Sequence, residues 1–307
     1  MVRREFLVSE EDKGIRLDKF LANKLEDISR SKLKELISKG KVEVNKEIKK
    51  GSYKLKEGDV ISVSIEEKKA DVIEPYPLEV KIIYEDRDII LVDKPCGLVV
   101  HPVRYGCFKT LVNALVYMGK TLSDINPLRR GVVHRLDKAT SGLIVLAKNN
   151  KSHLNLLQQF RERLVEKRYW AIVWGVIKED RLKIDLPLRR DDFNRFKMKV
   201  SFVKSKNALT EIKVVERFNN STFLSITPIT GRMHQIRTHL KFIGYPLVGD
   251  EKYGMKDGYQ ELFLHSYRLG ITHPTRGEFL TFQSSLPSRF ANFIKKNRER
   301  QCLKLSP

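Results

Sequence analysis

The apolar positions at the start of the chain first follow a helical spacing and then alternate. Apolar residues recur three and four positions apart in RLDKFLANKLE and in SRSKLKELISKG, and Gly40 ends the second stretch. Apolar and polar residues then alternate in KVEVN and GDVISVSI, as they do in half-buried strands. This order predicts a small α+β module, which we assign to residues 1–70.

A longer series of strand-like patterns follows a charged, proline-containing linker at residues 71–79. Residues 80–307 contain apolar runs of strand length, namely VKIIYED, DIILVDKP, GLIVLAK, YWAIVWGVI, LTEIKVVERF and STFLSITPI. Helical spacing occurs in TLVNALVYMG and HLNLLQQFRERL, and the final ANFIKKNRERQCLKLSP predicts a short basic helix. Strands and helices do not alternate regularly, which argues against a doubly wound fold. We predict an α+β domain dominated by a mixed or antiparallel sheet.

A carboxylate stands beside a predicted buried strand in GVVHRLDKATSGLIVLAKNN, residues 131–150. The GLIVLA run is almost continuously apolar, as in strands that are buried on both faces. Asp137 therefore lies in a loop at the mouth of this strand, where it loses water on one side and needs a cationic partner to stay ionised. The alternative is an aspartate in a turn, hydrogen-bonded to its own backbone.

A cationic partner is available in TPITGRMHQIRTHLKFIGYPLVGD, residues 227–250. Its apolar residues follow a helical period, and His234, Arg237 and Lys241 share another face of the same helix. A guanidinium binds a carboxylate or a phosphate in a fixed geometry, so Arg237 is the candidate partner. The alternative is a basic helix face that contacts only solvent.

Tyr169 begins the strand-like run in EKRYWAIVWG, residues 166–175. A tyrosine offers a flat ring that stacks on a base and a hydroxyl group that handles protons. The alternative is packing within the sheet, which suits Trp170 and Trp174 better than it suits Tyr169.

Basic and aromatic residues are interleaved in LPLRRDDFNRFKMKVSFVKSKNA, residues 186–208. The basic side chains are spaced so that they could follow a phosphate backbone, and Phe193 and Phe196 could stack on bases or anchor the loop. The alternative is a solvated charged hairpin. The candidate phosphate contacts in this segment are Arg189, Arg190, Arg195, Lys197, Lys199, Lys204 and Lys206.

Net charge narrows the class of partner. Lys and Arg outnumber Asp and Glu by 59 to 38, which gives a net charge of +21. A field of this sign attracts polyanions, so a nucleic acid, an acidic membrane surface and an acidic protein are all compatible with it.

Several classes of protein are disfavoured by what the sequence lacks. No run of about 18 apolar residues is present, which argues against a membrane-spanning helix, and the first residues lack the apolar core of a secretory signal. The 3 cysteines and 7 histidines have no metal-ligand spacing, and no glycine loop typical of phosphate binding occurs. We therefore expect a cytoplasmic protein without a metal or another cofactor.

Together, these segments resemble the RluA/RluD-type pseudouridine synthases. The family signature, in which the catalytic aspartate follows Arg-Leu, is similar to HRLDKATSG. The other family blocks resemble IILVDKPCGLVVHP, EKRYWAIV, TGRMHQIRTHLKFIGYPLVGD and LFLHSYRLGITHP, which occur in the family's order over residues 80–285. The resemblance implies a catalytic domain on a long, mostly antiparallel mixed sheet with flanking helices, and a reaction that needs no cofactor.

The resemblance also implies roles for individual residues. Asp137 would act as nucleophile or base, and Arg237 would be its ion-pair partner. Tyr169 would stack on the target uracil and assist proton transfer, and Arg135 would fill the gap that a flipped uridine leaves in the RNA. The further RNA contacts that we predict in this domain are His234, Arg189, Arg190, Arg195 and Lys197.

The first module is similar to the small RNA-binding module first recognised in a ribosomal small-subunit protein. The stretches that carry this resemblance are RLDKFL, SRSKLKELISKGKVEVN and LKEGDVISV. The residues that would lie on its RNA-facing side are Arg16, Lys19, Arg30, Ser31, Lys32 and Lys34.

The sequence therefore predicts an enzyme that converts uridine in structured RNA to pseudouridine, with large-subunit ribosomal RNA as the first substrate hypothesis and transfer RNA as the second. We expect a monomer without an obligate protein partner. The alternatives are a non-catalytic RNA-binding or ribosome-assembly factor, and a hydrolase that uses Asp137 with His134. A DNA-binding regulator is disfavoured because no helix-turn-helix pattern suits the strand-rich region.

Overall fold

A computed structural model describes residues 2–25, 28, 30–65, 73–102 and 108–305. The chain divides into two compact units, Met1–Asp71 and Val72–Pro307. Within the described residues, no helix combines the length and the apolar character that crossing a membrane requires.

The first unit packs two helices against a small antiparallel sheet. The elements are strand β1 (Val2–Leu7), helices α1 (Leu17–Lys24) and α2 (Arg30–Ser38), and strands β2 (Val42–Val44), β3 (Glu47–Ile48) and β4 (Val60–Ile65). The sheet order is β1-β4-β2-β3, and all of its pairs are antiparallel. The predicted helices and strands are present, and β1, which was not predicted, adds an edge strand to them. Leucines of both helices form the core with Val42, Val44, Ile61 and Val63 of the sheet.

The second unit is built on one large sheet. The strands of the unit are β5 (Lys81–Glu85), β6 (Ile89–Lys94), β7 (Ser141–Ala147), β8 (Glu166–Trp174), β9 (Arg181–Asp185), β10 (Leu188–Arg190), β11 (Met198–Val200), β12 (Leu209–Arg217), β13 (Ser221–Pro228), β14 (Leu264–Thr272) and β15 (Phe279–Gln283). Its helices are α3 (Leu111–Tyr117), α4 (Asn150–Glu162), α5 (Gln235–Phe242) and α6 (Ser288–Leu305). Short 3-10 helices cover Glu10–Asp12 in the first unit and Pro127–Arg129 in the second.

The large sheet has nine strands in the order β5-β6-β7-β14-β8-β13-β12-β9, with β15 paired to β14. The β7–β14 pair is parallel, and the other pairs between its strands are antiparallel. The predicted fold class, a small module followed by a domain on a mostly antiparallel mixed sheet with flanking helices, is therefore confirmed. Strands β10 and β11 form a separate hairpin.

Alternate residues of β6 and β7 enter two different cores. Ile144 and Leu146 pack with Leu111 and Leu115 of α3 on one face of the sheet. Leu143 and Val145 pack with Leu156 of α4 on the other face. All seven residues of β7 are buried, because both faces of the strand are covered by helices.

The last helix is longer and less exclusively basic than predicted. It begins at Ser288 and buries Phe290, Phe293 and Ile294. These side chains pack with Phe223 and other aromatic residues on the sheet. Three apolar positions are enough to dock one side of a helix. Because the rest of the helix is rich in charged residues, this apolar stripe was not recognised in the sequence.

A glycine permits the parallel contact between β7 and β14. Gly142 has a φ of +110°, and a Cβ atom there would lie 2.3 Å from the carbonyl oxygen of Ser266. The two strands pair at this point, His265 with Ser141 and Ser266 with Gly142. Since β7 follows the Asp137 loop directly, this contact joins the loop to the strands on the far side of the sheet.

We expect Gly142→Ala to lower the free energy of unfolding of the second unit by about 3 kcal/mol, because the methyl group would separate β7 from β14 as well as strain the backbone. The control is Gly277→Ala, where φ is +73° but no atom lies within 4 Å of the added Cβ. The control should lose only about 1–2 kcal/mol. Urea denaturation measures both values, and equal losses would show that the close approach of the strands adds nothing.

Candidate active site

Asp137 lies in a tight turn that is closed by a backbone hydrogen bond. The carboxylate of Asp137 takes no part in closing the turn. The N–H of Thr140 donates to the carbonyl of Asp137 (3.1 Å), and the neighbouring Leu136 is buried in the core. In the described part of the chain no backbone N–H donates to the carboxylate, which instead faces Arg237 and His234. The alternative of an aspartate hydrogen-bonded to its own backbone is therefore wrong for the side chain.

Arg237 is buried, with 7% of its surface exposed. Its Nη1 lies 3.5 Å from Oδ2 of Asp137, while its Nε and Nη2 donate to the two carboxylate oxygens of Asp250 at 2.8 and 2.6 Å. The alternative of a solvated helix face is therefore wrong for Arg237, although Lys241 is exposed. One guanidinium thus contacts two carboxylates, one in a fixed bidentate pair and one at longer range.

Asp250, which sequence reasoning missed, fixes the orientation of Arg237. Its Oδ1 also accepts hydrogen bonds from the backbone N–H groups of Lys252 and Tyr253, both at 3.1 Å. Burial lowers the pKa of Arg237, but the hydrogen bonds and charge of Asp250 outweigh burial and raise the pKa above its usual value. Asp250 follows a glycine with a φ of +72°, Gly249, where a Cβ atom would lie 2.1 Å from a backbone oxygen.

Tyr169 stands on β8 between two cores of the sheet and packs against both of them. Burial raises the pKa of its phenol to about 12, although a hydrogen bond with Ser266 opposes this shift. The phenol is therefore protonated at neutral pH, where it can donate a proton but is not a phenolate. Trp170 packs on the opposite face and stacks on Tyr267 with ring centroids 3.8 Å apart. The interpretation of packing within the sheet is therefore correct for Trp170.

Five of the residues predicted for the site meet around one cavity of about 130 Å³. They are Asp137, Tyr169, Arg237, Arg135 and His234. Burial lowers the pKa of His234, against the opposing charge of Asp137, and its Nδ1 is 2.8 Å from the hydroxyl of Tyr253. The catalytic and RNA-binding roles of these residues stay predictions.

His134 also lines the cavity but is not available as a base. Its Nε2 accepts a hydrogen bond from the N–H of Val145 (3.1 Å), and its ring stacks on Phe160 at 4.4 Å. Burial and then the charge of Lys167 lower the pKa of His134 to about 3. A neutral imidazole with its lone pair engaged disfavours the hydrolase alternative, which needs His134 to accept a proton.

Lys94 is hydrogen-bonded to the loop that carries Asp137. Its fully buried ammonium donates to the carbonyls of Pro95 (2.9 Å), Leu98 (2.8 Å) and Lys138 (3.3 Å). The N–H of Gly97 also donates to the carbonyl of Lys138 at 2.9 Å. Burial lowers the pKa of Lys94 to about 8. The block IILVDKPCGLVVHP therefore holds the residue that follows Asp137, a structural role that its sequence did not reveal.

The β10–β11 hairpin carries the predicted basic segment and is attached to the rim of the site. The N–H of Met198 donates to the hydroxyl of Tyr253 (2.7 Å), and Lys252 donates to the carbonyl of Phe196 (3.0 Å). Phe193 is 98% exposed, so it does not anchor the loop. Among the predicted phosphate contacts, Arg189 is paired with Asp192, Arg190 bonds the carbonyl of Arg195, and the side chains of Arg195 and Lys197 have no ion pair among the described residues.

The predicted RNA-facing residues of the first unit divide into three groups. Arg16 forms a bidentate pair with Asp18 at 3.0 and 2.7 Å, so its charge is partly neutralised. Lys19 and Lys34 line a groove between α1 and α2. The remaining predicted contacts, whose side chains lie outside the described residues, are Arg30, Ser31 and Lys32.

Among the described residues, one group has the geometry of a metal site: Asp86, Asp88 and His273. Nε2 of His273 lies 2.8 Å from Asp86, and its Nδ1 accepts hydrogen bonds from the N–H groups of Thr275 and Arg276. Both ring nitrogens are therefore engaged within the protein. The group links two turns by hydrogen bonds, and its histidine has no lone pair left for a metal ion.

Comparison with known proteins identifies the two units. The S4 domain matches residues 15–61, and the RNA pseudouridylate synthase family matches residues 88–242. The uncharacterized RNA pseudouridine synthase YlyB of Bacillus subtilis (strain 168) is 41% identical over 298 residues, 96% of this chain and 98% of the relative. Ribosomal large subunit pseudouridine synthase D of Neisseria meningitidis serogroup B is 40% identical over 291 residues, 90% of this chain and 76% of the relative.

A solved structure, human RNA pseudouridylate synthase domain containing 1, is 27% identical with a TM-score of 0.58 and covers 68% of this chain and 84% of its own. The fold and the sequence comparisons thus define an RNA-modifying isomerase whose catalytic family segment follows an S4 domain along the chain. The chain belongs to the RNA pseudouridylate synthase family, which the predicted resemblance anticipated. It is accordingly an enzyme that isomerises uridine in RNA.

We expect Asp250→Ala to lower the free energy of unfolding of the second unit by about 3–5 kcal/mol, because it leaves the buried guanidinium of Arg237 without its bidentate partner. Asp137→Asn is the matched comparison and should cost less than about 1 kcal/mol, since Arg237 keeps both bonds to Asp250. Urea denaturation followed by circular dichroism measures both losses. Similar losses for the two variants would mean that Asp250 is not the anchor of Arg237.

Proposed function

We propose that this enzyme converts uridines of large-subunit ribosomal RNA to pseudouridine, with Asp137 as its catalytic carboxylate. The substrate is supported by the similarity to ribosomal large subunit pseudouridine synthase D along 90% of the chain. The assignment of Asp137 rests on one observation: its carboxylate is 3.5 Å from an arginine that Asp250 holds in place, beside the cavity that Tyr169 lines.

The reaction breaks the bond from N1 of uracil to C1′ of ribose and forms a bond from C5 to C1′. The hydrogen at C5 leaves as a proton and N1 gains one, so no group is transferred and no electrons are exchanged with another molecule. The uridine must first leave the RNA stack, which costs a few kcal/mol. Arg135, at the edge of the cavity, is suited to filling the space that the base vacates.

Asp137 has three possible routes, which all require it to be ionised. It can attack C6 of the base, attack C1′ of the sugar, or remove the proton from C2′. In each case the guanidinium of Arg237, with its Nη1 3.5 Å from Oδ2 of Asp137, is the cation that faces the carboxylate. Because two hydrogen bonds to Asp250 fix that guanidinium, no reorientation is needed when charge develops during the reaction.

Tyr169 supplies a flat ring and a proton. Its ring lines the cavity, where it can stack on the flipped uracil. Burial raises the pKa of the phenol to about 12, so the phenol is neutral and protonated before the reaction. In that form it is suited to passing a proton to or from the base.

We expect Asp137→Asn to reduce pseudouridine formation by about 10³-fold or more while RNA binding stays within about twofold, because only the charge of one side chain is lost. The measurement is tritium release from unmodified large-subunit ribosomal RNA labelled at C5 of uridine. Asp180→Asn, a carboxylate that is 86% exposed, is the control and should behave as wild type. Turnover near wild type in Asp137→Asn would remove Asp137 from the mechanism. Release from transfer RNA alone would replace the proposed substrate.

We expect the double variant Lys19→Ala/Lys34→Ala to raise the half-saturating RNA concentration about tenfold without changing the rate at saturation, because it would remove the two phosphate contacts that we propose for the S4 domain. Lys46→Ala/Lys56→Ala removes the same charge from exposed positions outside α1 and α2. Equal effects of the two double variants would show that overall charge, and not the groove between the helices, captures the RNA.

A further inference from the structure

A second cation lines the cavity beside the proposed catalytic residues. Lys167 precedes Tyr169 by two positions on β8, so the two side chains leave the same face of the sheet. Both line the cavity that holds Asp137. Lys167 is half-buried, and its neighbours along the cavity wall include the stacked pair of His134 and Phe160.

Lys167 has no counter-ion within the described part of the chain. The adjacent carboxylate, Glu166, points to the other face, where it pairs with Arg168 (3.0 Å) and Arg268 (3.2 Å). The charge that acts on Lys167 is another cation, Arg163, which ends helix α4 with a φ of +63°. Arg163 itself has no ion pair among the described residues.

This arrangement is unfavourable for the protein alone. Burial, and then the like charge of Arg163, lowers the pKa of the Lys167 ammonium below its usual value. A half-buried ammonium without an anion loses part of its hydration and gains no attraction in return. An anion that enters the cavity with the substrate would supply the missing charge.

The chemistry of the ligand follows from that charge balance. A uracil carbonyl is neutral and would leave Lys167 uncompensated, whereas a phosphodiester carries one negative charge and several acceptor oxygens. Charge-assisted hydrogen bonds of an ammonium to a phosphate are about twice as strong as bonds between neutral groups. When the base enters the cavity, its ribose and flanking phosphate follow it to the cavity edge.

We propose that Lys167 forms a subsite for the backbone phosphate of the flipped uridine nucleotide. This proposal rests on the proposed function, since it needs a nucleotide in the cavity. Lys167 would then hold the sugar-phosphate end of the nucleotide while Asp137 and Tyr169 act on its base and sugar. It is a substrate-binding residue, and its effect falls on binding more than on the chemical step.

The test compares Lys167→Met with Lys167→Arg, which keeps the charge, and with Lys183→Met, which removes an exposed lysine from β9. Single-turnover tritium release from unmodified large-subunit ribosomal RNA transcripts is measured over a range of RNA and KCl concentrations. In Lys167→Met we expect the half-saturating RNA concentration to rise about tenfold and the rate at saturation to stay within about threefold. The slope of log affinity against log salt should fall by about 0.7–0.9, the value of one phosphate contact.

Lys167→Arg should recover most of the affinity and the salt slope, and Lys183→Met should change the affinity less than about twofold. The thermal midpoint of Lys167→Met without RNA should equal or exceed that of wild type, because an uncompensated cation is removed. An unchanged affinity and slope in Lys167→Met would overturn the subsite. So would a lower thermal midpoint that Lys167→Arg does not restore, since Lys167 would then act in packing.

Failure of the proposed function gives a different result. If wild type releases no tritium from these transcripts, the proposed reaction on this RNA is wrong. Filter binding of the same transcripts then supplies the affinities and salt slopes, and the same criteria decide whether Lys167 contacts a phosphate.

Discussion

The buried pair of Arg237 and Asp250 is the interaction on which the site depends. An arginine that is withdrawn from water needs a carboxylate in good geometry, and Asp250 supplies two hydrogen bonds at 2.8 and 2.6 Å. The pair fixes the guanidinium before any substrate arrives, so its remaining nitrogen can face Asp137 at 3.5 Å. A fixed charge of this kind stabilises a neighbouring carboxylate without a cost of reorientation during the reaction.

The sheet brings the parts of the site together from distant positions in the chain. Lys94, at the end of β6, holds the loop of Asp137 by hydrogen bonds to backbone carbonyls. Gly142 lets β7 approach β14, and β14 pairs with β8, which carries Tyr169 and Lys167. The same sheet places Lys167 at the cavity without a counter-ion among the described residues, and the phosphate that we propose for this position would supply one.

Local patterns in the sequence predicted more of the fold than of the site. The apolar runs of strand length in β6, β7, β8, β12 and β13 are a local property, so these strands could be recognised one at a time. Arg237 shows the limit of such reasoning, because the same helical pattern is compatible with a solvated face and with a buried ion pair. The roles of Asp250 and Lys94 could not be predicted, since no local pattern shows that Asp250 turns back to Arg237, 13 residues earlier, or that Lys94 reaches the carbonyl of Lys138, 44 residues later. The resemblance named Asp137, Tyr169 and Arg237, and these three residues line one cavity, while their catalytic roles stay predictions.

The protonation of the cavity's side chains supports the division of roles that we propose. Burial keeps Tyr169 protonated, with a pKa of about 12, and keeps His134 neutral, with a pKa of about 3 and its Nε2 already engaged. Burial also lowers the pKa of His234, whose Nδ1 contacts the hydroxyl of Tyr253. Arg237 carries its proton throughout. Asp137 lines the same cavity 3.5 Å from Arg237, so these neighbours suit the proposed roles of the carboxylate as nucleophile or base and of the phenol as proton donor.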